Sequence, residues 1–189
     1  TYPAGRIRIP NDSKSRAGGV LYSDYSLGRF FAEAARQPWF ENTIFLVTAD
    51  HCASSAGRTE IPLQKYHIPA LILAPGLIEP GVVDGIVSQI DLMPTLLSLL
   101  NMSYDSHFYG RSIFDPAYVN RAFIATYQDL GYLEGDTFTI LSPVRRFEQY
   151  RVVPTEENPH HLETMERKDA MQVDRAIGYY QTSCKWNKR

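Results

Sequence analysis

An aspartate followed directly by a histidine, Asp50-His51, closes the apolar run Ile44-Phe-Leu-Val-Thr-Ala49. A carboxylate oxygen and an imidazole nitrogen side by side are donors that suit Mn²⁺, Zn²⁺ or a related divalent ion. In open α/β sheets ligands bind beyond the carboxyl ends of the strands, which is where this run delivers the pair. The small residues that follow, Cys52-Ala-Ser-Ser-Ala-Gly57, would let a substrate approach closely. A second reading of the pair is purely local: Asp50 caps a turn and His51 is a satisfied polar group at a strand end. Two ligands also leave a catalytic metal short, since it normally takes at least three from the protein. The remaining ligands have to come from elsewhere.

Other residues near the pair invite weaker readings. Arg58 could bind a phosphate oxygen through its forked guanidinium, or it and Glu60 are solvated loop charges. Cys52 reads as a small buried side chain, and Cys52 and Cys184 as two free thiols, since they match neither a disulfide framework nor a zinc spacing. Asp91 reads as a helix cap. His107, His160 and His161 lie in polar segments and read as surface residues.

The elements that must position these groups follow from periodicity. Residues 1–17 are rich in Pro, Gly, Ser and Arg and read as a loop. Val20, Leu21, Leu27, Phe30, Phe31, Ala34 and Ala35 recur at helical spacing across 18–37, a pattern that Pro38 ends. Residues 43–48 form a continuous apolar, β-branched run, suited to a strand buried on both faces. A polar loop over 50–65 leads to a second buried strand at 70–74, closed by Pro75-Gly76. A short strand is expected at 86–89, then a helix through Pro94 to Leu100, with Pro tolerated in its first turn.

The character changes after that. Residues 122–127, 136–141 and 144–152 alternate in polarity like antiparallel strands, with turns expected at Gly131, Gly135 and Pro143. From Leu162, the residues Met165, Val173, Ala176, Ile177, Tyr180 and Cys184 trace one face of a closing helix. The fold class is α/β, with a boundary near 115: an α/β part over 1–115, then a small antiparallel sheet and a closing helix over 116–189.

With 189 residues, 44% of them hydrophobic and 21% charged, the chain can bury a real core. A net charge of −2 without long runs of one sign argues against a nucleic-acid binder. No apolar stretch approaches the roughly 20 residues that span a bilayer. A start without Met in loop-like sequence suggests a chain cut from something longer.

Taken in order, residues 43–51, Gly57-Arg-Thr-Glu60, Tyr66-His-Ile-Pro69 and Ser88-Gln-Ile-Asp-Leu-Met-Pro-Thr-Leu-Leu97 resemble the alkaline phosphatase/sulfatase superfamily. The likeness is to its C-terminal half, with the sheet flanked by helices, and runs over residues 1–115. Thr1-Tyr-Pro-Ala-Gly-Arg6 and Ser23-Asp-Tyr-Ser-Leu-Gly-Arg-Phe30 look like the lipoteichoic acid synthase-like branch, which includes phosphoglycerol transferases. More weakly, so does Ile177-Gly-Tyr-Tyr-Gln181.

The resemblance implies a metal-activated Thr, Ser or modified Cys nucleophile that forms a covalent phospho- or sulfo-enzyme. Asp50 and His51 match its second-half metal ligands, for Mn²⁺ first, with Zn²⁺, Mg²⁺ or Ca²⁺ as alternatives. His67 stands where relatives put a polar or basic group near the substrate. Sulfatases usually carry Asp-Asn where this chain has Asp50-His51, so His51 implies phosphate-ester over sulfate-ester chemistry.

The implied substrates are phospholipid headgroups or other phosphate or sulfate esters. The implied setting is a membrane-anchored protein with its catalytic domain in the periplasm or outside. The nucleophile and the first-half acidic ligand lie outside this sequence, so the chain alone is expected to show no turnover. Self-association through an uncovered sheet edge is also expected, and a decayed, non-catalytic binding module is the alternative of another class.

Overall fold

The computed structural model describes residues 5–8, 15–52 and 61–186. The chain divides into two compact units, 1–45 with 72–79 and 46–71 with 80–189. The expected order holds: an α/β part, an antiparallel sheet and a closing helix. No helix among the described residues is long and apolar enough to cross a membrane.

In the first unit, helix α1 (Arg16–Ala34) starts two residues before the expected point, because the Ser15 hydroxyl caps it by accepting from the Gly18 amide at 3.0 Å. Its end brings Phe30 and Phe31 to Phe45, with ring centroids 6.0 and 5.4 Å apart. Trp39 and Phe40 complete an aromatic cluster around Phe45. Edge-to-face contacts of this kind add to area burial.

Strands β1 (Phe45–Thr48) and β2 (Ala70–Leu73) pair in a two-stranded sheet. They are not buried on both faces as the apolar runs suggest: Leu71 is 52% exposed. The described residues pair only these two strands in this sheet.

The expected strand at 86–89 is absent. Ser88 and Asp91 form a reciprocal capping box that curls Gln89–Asp91 into a 3₁₀ turn, which runs directly into helix α2 (Leu92–Leu99). Asp91 also does more than cap. It is fully buried, and its carboxylate accepts from the Ser88 and Arg111 amides, the Tyr118 hydroxyl and both terminal nitrogens of Arg121.

The second unit holds a five-stranded antiparallel meander: β3 (Arg121–Ala125), β4 (Leu130–Glu134), β5 (Thr137–Ser142), β6 (Arg146–Val152) and β7 (Leu162–Thr164). Two of these strands were not expected, and Gly131 lies inside β4 rather than at a turn. A β-carbon on Gly131 would come within 2.8 Å of the Phe138 ring, so the glycine is there to let that ring lie flat on the strand. The turn falls instead at 126–129, where the Thr126 hydroxyl accepts from the Gln128 and Asp129 amides.

Alternation along β5 sends neighbours to opposite faces. Phe138 joins Ile61, Leu63 and Ile124 in the core on one side. Thr139 faces helix α3 (Ala170–Trp186) on the other, bonding Gln172 at 2.8 Å. The closing helix starts at Ala170, later than expected, because Leu162–Thr164 pairs with β6 as β7 and Asp169 caps the helix by accepting from the Gln172 amide. Phe123, Tyr132 and Tyr179 pack together between sheet and helix.

Candidate functional site

Beyond β1 the backbone is held on both sides. The Ala49 amide donates to the Pro69 carbonyl at 3.3 Å, and the Ala49 carbonyl accepts from the Gln89 side chain at 3.2 Å. Both contacts belong to the second unit and deliver the next two residues, Asp50 and His51, to a defined place. Their side chains are 87% and 71% exposed, so the contact between them adds little to the fold.

Local bonds set their donor atoms. Asp50 Oδ1 accepts from the His51 amide at 2.9 Å. His51 Nδ1 lies 2.9 Å from the Cys52 carbonyl, which can only accept, so in the neutral ring Nδ1 carries the proton and Nε2 the lone pair. Nε2 stands 3.5 Å from Asp50 Oδ2. Two donors each about 2.1 Å from a tetrahedral ion lie about 3.4 Å apart, so the pair fits a shared divalent cation. Further ligands must come from beyond the pair, for the described residues contain no cluster of three or more His, Cys, Asp or Glu able to hold a metal. Arg58 and Glu60 lie outside the described residues.

Cys52 and Cys184 are not joined to each other, and Cys184 is exposed. Cys52 is half-buried and donates to the His67 carbonyl at 3.1 Å, tying the segment after Asp50-His51 to the residues that lead into β2. His67 itself is exposed, and its ring meets that of His160. Nδ1 of His67 is 3.2 Å from Nε2 of His160, with the rings almost perpendicular at 86°.

His160 is therefore no free surface residue: it is half-buried and belongs with His67. Its partner lies 93 positions away, and no local pattern announces the pairing. Partial burial lowers the His160 pKa below the ordinary value of about 6.5, and the neighbouring His67 lowers it further. The unfolded chain then binds more protons than the folded one near and below that value. The His160 contribution to stability is full above about pH 6.5 and is lost as pH falls. His160→Gln should give a shallower drop in melting temperature between about pH 7 and pH 5 than the parent chain. A drop as steep as the parent's would show that other groups control this range.

Asp91, expected as a cap, has no part in this site. Its burial under Arg121 and Tyr118 makes it a structural hub.

A family model described as Sulfatase matches residues 7–102, from before α1 to just past α2. The chain belongs to the sulfatase family. Asp50 and His51 both fall inside the matched stretch of this sulfatase-family chain, as does His67. A solved structure of an alkaline phosphatase superfamily protein from Vibrio parahaemolyticus is 31% identical, with a TM-score of 0.83 over 97% of this chain and 46% of its own. That likeness carries the fold through the antiparallel sheet and α3, and agrees with the superfamily resemblance.

An arylsulfatase of Clostridium perfringens is 30% identical over 107 residues, which is 52% of this chain and 22% of the arylsulfatase. The structure of Ps i-CgsB shares the fold at 18% identity, with a TM-score of 0.59 over 98% of this chain and 48% of its own. The sulfatase-family chain thus spans less than half the length of each of these relatives.

Proposed function

We propose that this chain supplies two ligands, Asp50 and His51, to the divalent-metal site of an enzyme that transfers or hydrolyses a phosphate ester through a covalent intermediate. The nucleophile of that enzyme lies outside this sequence. The reading rests on one observation above the others: Asp50 Oδ2 and His51 Nε2 stand 3.5 Å apart at the end of β1. A divalent cation held there would offset charge on the ester oxygens and favour the ionised form of a nucleophile.

The chain's own residues prepare the place. Gln89 and the Pro69 carbonyl hold Ala49, and the Cys52 carbonyl fixes the His51 tautomer that leaves Nε2 unprotonated. His67, tied to Cys52 through its backbone, stands ready for a substrate oxygen. Phospholipid headgroups are donors consistent with this reading, and a membrane-held protein facing outward is its natural setting.

Sulfate-ester hydrolysis is the second reading, favoured by the likeness to an arylsulfatase. A histidine at position 51, where sulfatases usually carry asparagine, supports the phosphate reading instead.

Calorimetric titration of the 189-residue chain with Mn²⁺ tests the ligand pair. Asp50→Ala should weaken binding by more than about 100-fold, the upper end of the effect of losing a mere supporting group. Equal binding by parent and variant would remove Asp50 from the site. The chain alone should turn over neither an aryl phosphodiester nor an aryl sulfate. Turnover that Asp50→Ala abolishes would place the nucleophile within this sequence. With the nucleophile present, the faster of the two esters decides between phosphate and sulfate.

A further inference from the structure

We propose that His67 and His160 act as a dyad that binds one oxygen of a tetrahedral oxyanion, phosphate or sulfate, with His160 as the positioning residue for His67. The dyad belongs to the ester-handling site above and rests on that reading for the choice of anion.

Both halves are built rather than incidental. The backbone of His67 is pinned by the Cys52 thiol on its carbonyl, and two residues on, the Pro69 carbonyl accepts from the Ala49 amide and the Thr48 hydroxyl. The His67 backbone is thus tied to the strand end that carries Asp50. His160 sits on a turn centred on Asn158. The Asn158 side chain accepts from the His160 amide at 2.9 Å, the Asn158 amide donates to the Thr155 hydroxyl at 3.0 Å, and the Val153 amide donates to the His161 carbonyl at 2.9 Å. Such a bonded turn holds a ring in place far better than a free loop.

At 3.2 Å one of the two facing nitrogens must donate and the other accept. His160 is the more buried ring and resists a second proton, so a proton taken up by the pair goes to His67, whose Nδ1 then donates to His160 Nε2. That leaves Nε2 as the free nitrogen of His67. When His67 carries both protons, Nδ1–H donates to His160 and Nε2–H donates to an anionic oxygen, a charge-assisted bond. A neutral acceptor on one side supports the imidazolium that the anion on the other side needs.

The test is ¹⁵N spectroscopy of the histidine rings in the 189-residue chain without divalent cations, during titration with inorganic phosphate and, separately, sulfate. Before anion is added, His67 should carry its proton on Nδ1 and His160 should present a bare Nε2. The reverse assignment overturns the roles given to the two rings. Anion should then protonate His67 Nε2 saturably, and the arm with the tighter saturation names the preferred anion.

His160→Ala should weaken that binding about tenfold, and His160→Gln, which keeps an acceptor oxygen, should restore most of it. Unchanged binding in His160→Ala, with the backbone amide spectrum preserved, would sink the proposal, as would a His67 ring that responds to neither anion. The dyad and the metal reading fail separately: anion can move His67 in a chain that binds no Mn²⁺, and Mn²⁺ can bind a chain whose dyad ignores anions.

Discussion

Asp91→Ala should be among the most destabilising single substitutions in this chain, at about 3–5 kcal/mol. Asp91 is fully buried and Arg121 is 2% exposed, and they meet at 3.2 Å. Removing the carboxylate strands a guanidinium in the interior. It also leaves the Ser88 and Arg111 amides and the Tyr118 hydroxyl without their acceptor. Each buried donor left unpaired costs about 1–3 kcal/mol. Burial pushes the Tyr118 hydroxyl above the ordinary tyrosine range, and its bond to Asp91 pushes it further, so it remains a donor at neutral pH. Burial works against the charge on Arg121, but the Asp91 carboxylate more than offsets this and keeps the guanidinium firmly protonated.

The converse variant should be milder. Arg121→Met leaves a carboxylate that still accepts three hydrogen bonds, and methionine fills the space beside the Phe123 ring, which now lies 5.5 Å from the guanidinium carbon. The double variant should be more stable than Asp91→Ala alone, because it removes the orphaned charge. Urea unfolding of the three variants measures this order. A double variant no better than Asp91→Ala would mean that the lost amide acceptors, not the stranded cation, dominate.

This hub shows what sequence could and could not reveal. Segments whose pattern is local were legible: α1 through its helical spacing, β1 and β2 through their apolar runs, and α2 through Pro94 in its first turn. The placement of Asp50 and His51 just past the end of such a run was legible for the same reason. Features whose partners are remote were not. Asp91 looks like a cap because Ser88 is three residues away, while Arg121 is 30 residues away. His160 looks like a surface residue because His67 is 93 away. Strand β7 was absorbed into the closing helix because Leu162 and Met165 happen to fit helical spacing, although β6 claims the segment by pairing. Gly131 reads as a turn until the Phe138 ring is seen lying against it. In each case a contact across the fold overrode a plausible local signal.

The Phe138–Gly131 contact leads to the second large effect expected. Phe138 is fully buried at the centre of the Ile61, Leu63 and Ile124 cluster, so Phe138→Ala should cost about 3–5 kcal/mol through lost burial and the cavity left behind. Gly131→Ala should cost about 1–3 kcal/mol for the opposite reason, overpacking, since the added methyl meets the ring at 2.8 Å and the Ile124 β-carbon at 3.3 Å.

Because one variant removes the atoms that the other collides with, their costs should not add: the Gly131→Ala/Phe138→Ala double variant should lose less than the sum. Additive losses would show that Gly131 is held for its backbone rather than for the ring. The same cluster reaches the site, because Tyr66 packs against it and adjoins His67. Loosening Phe138 should therefore also broaden the His67 and His160 ring signals, while a substitution at the exposed Val144, 90% accessible on the β5–β6 turn, should leave them sharp. A Phe138 variant with both ring signals unaltered would mean that the turn around Asn158 and the Cys52 bond hold the dyad without help from the core.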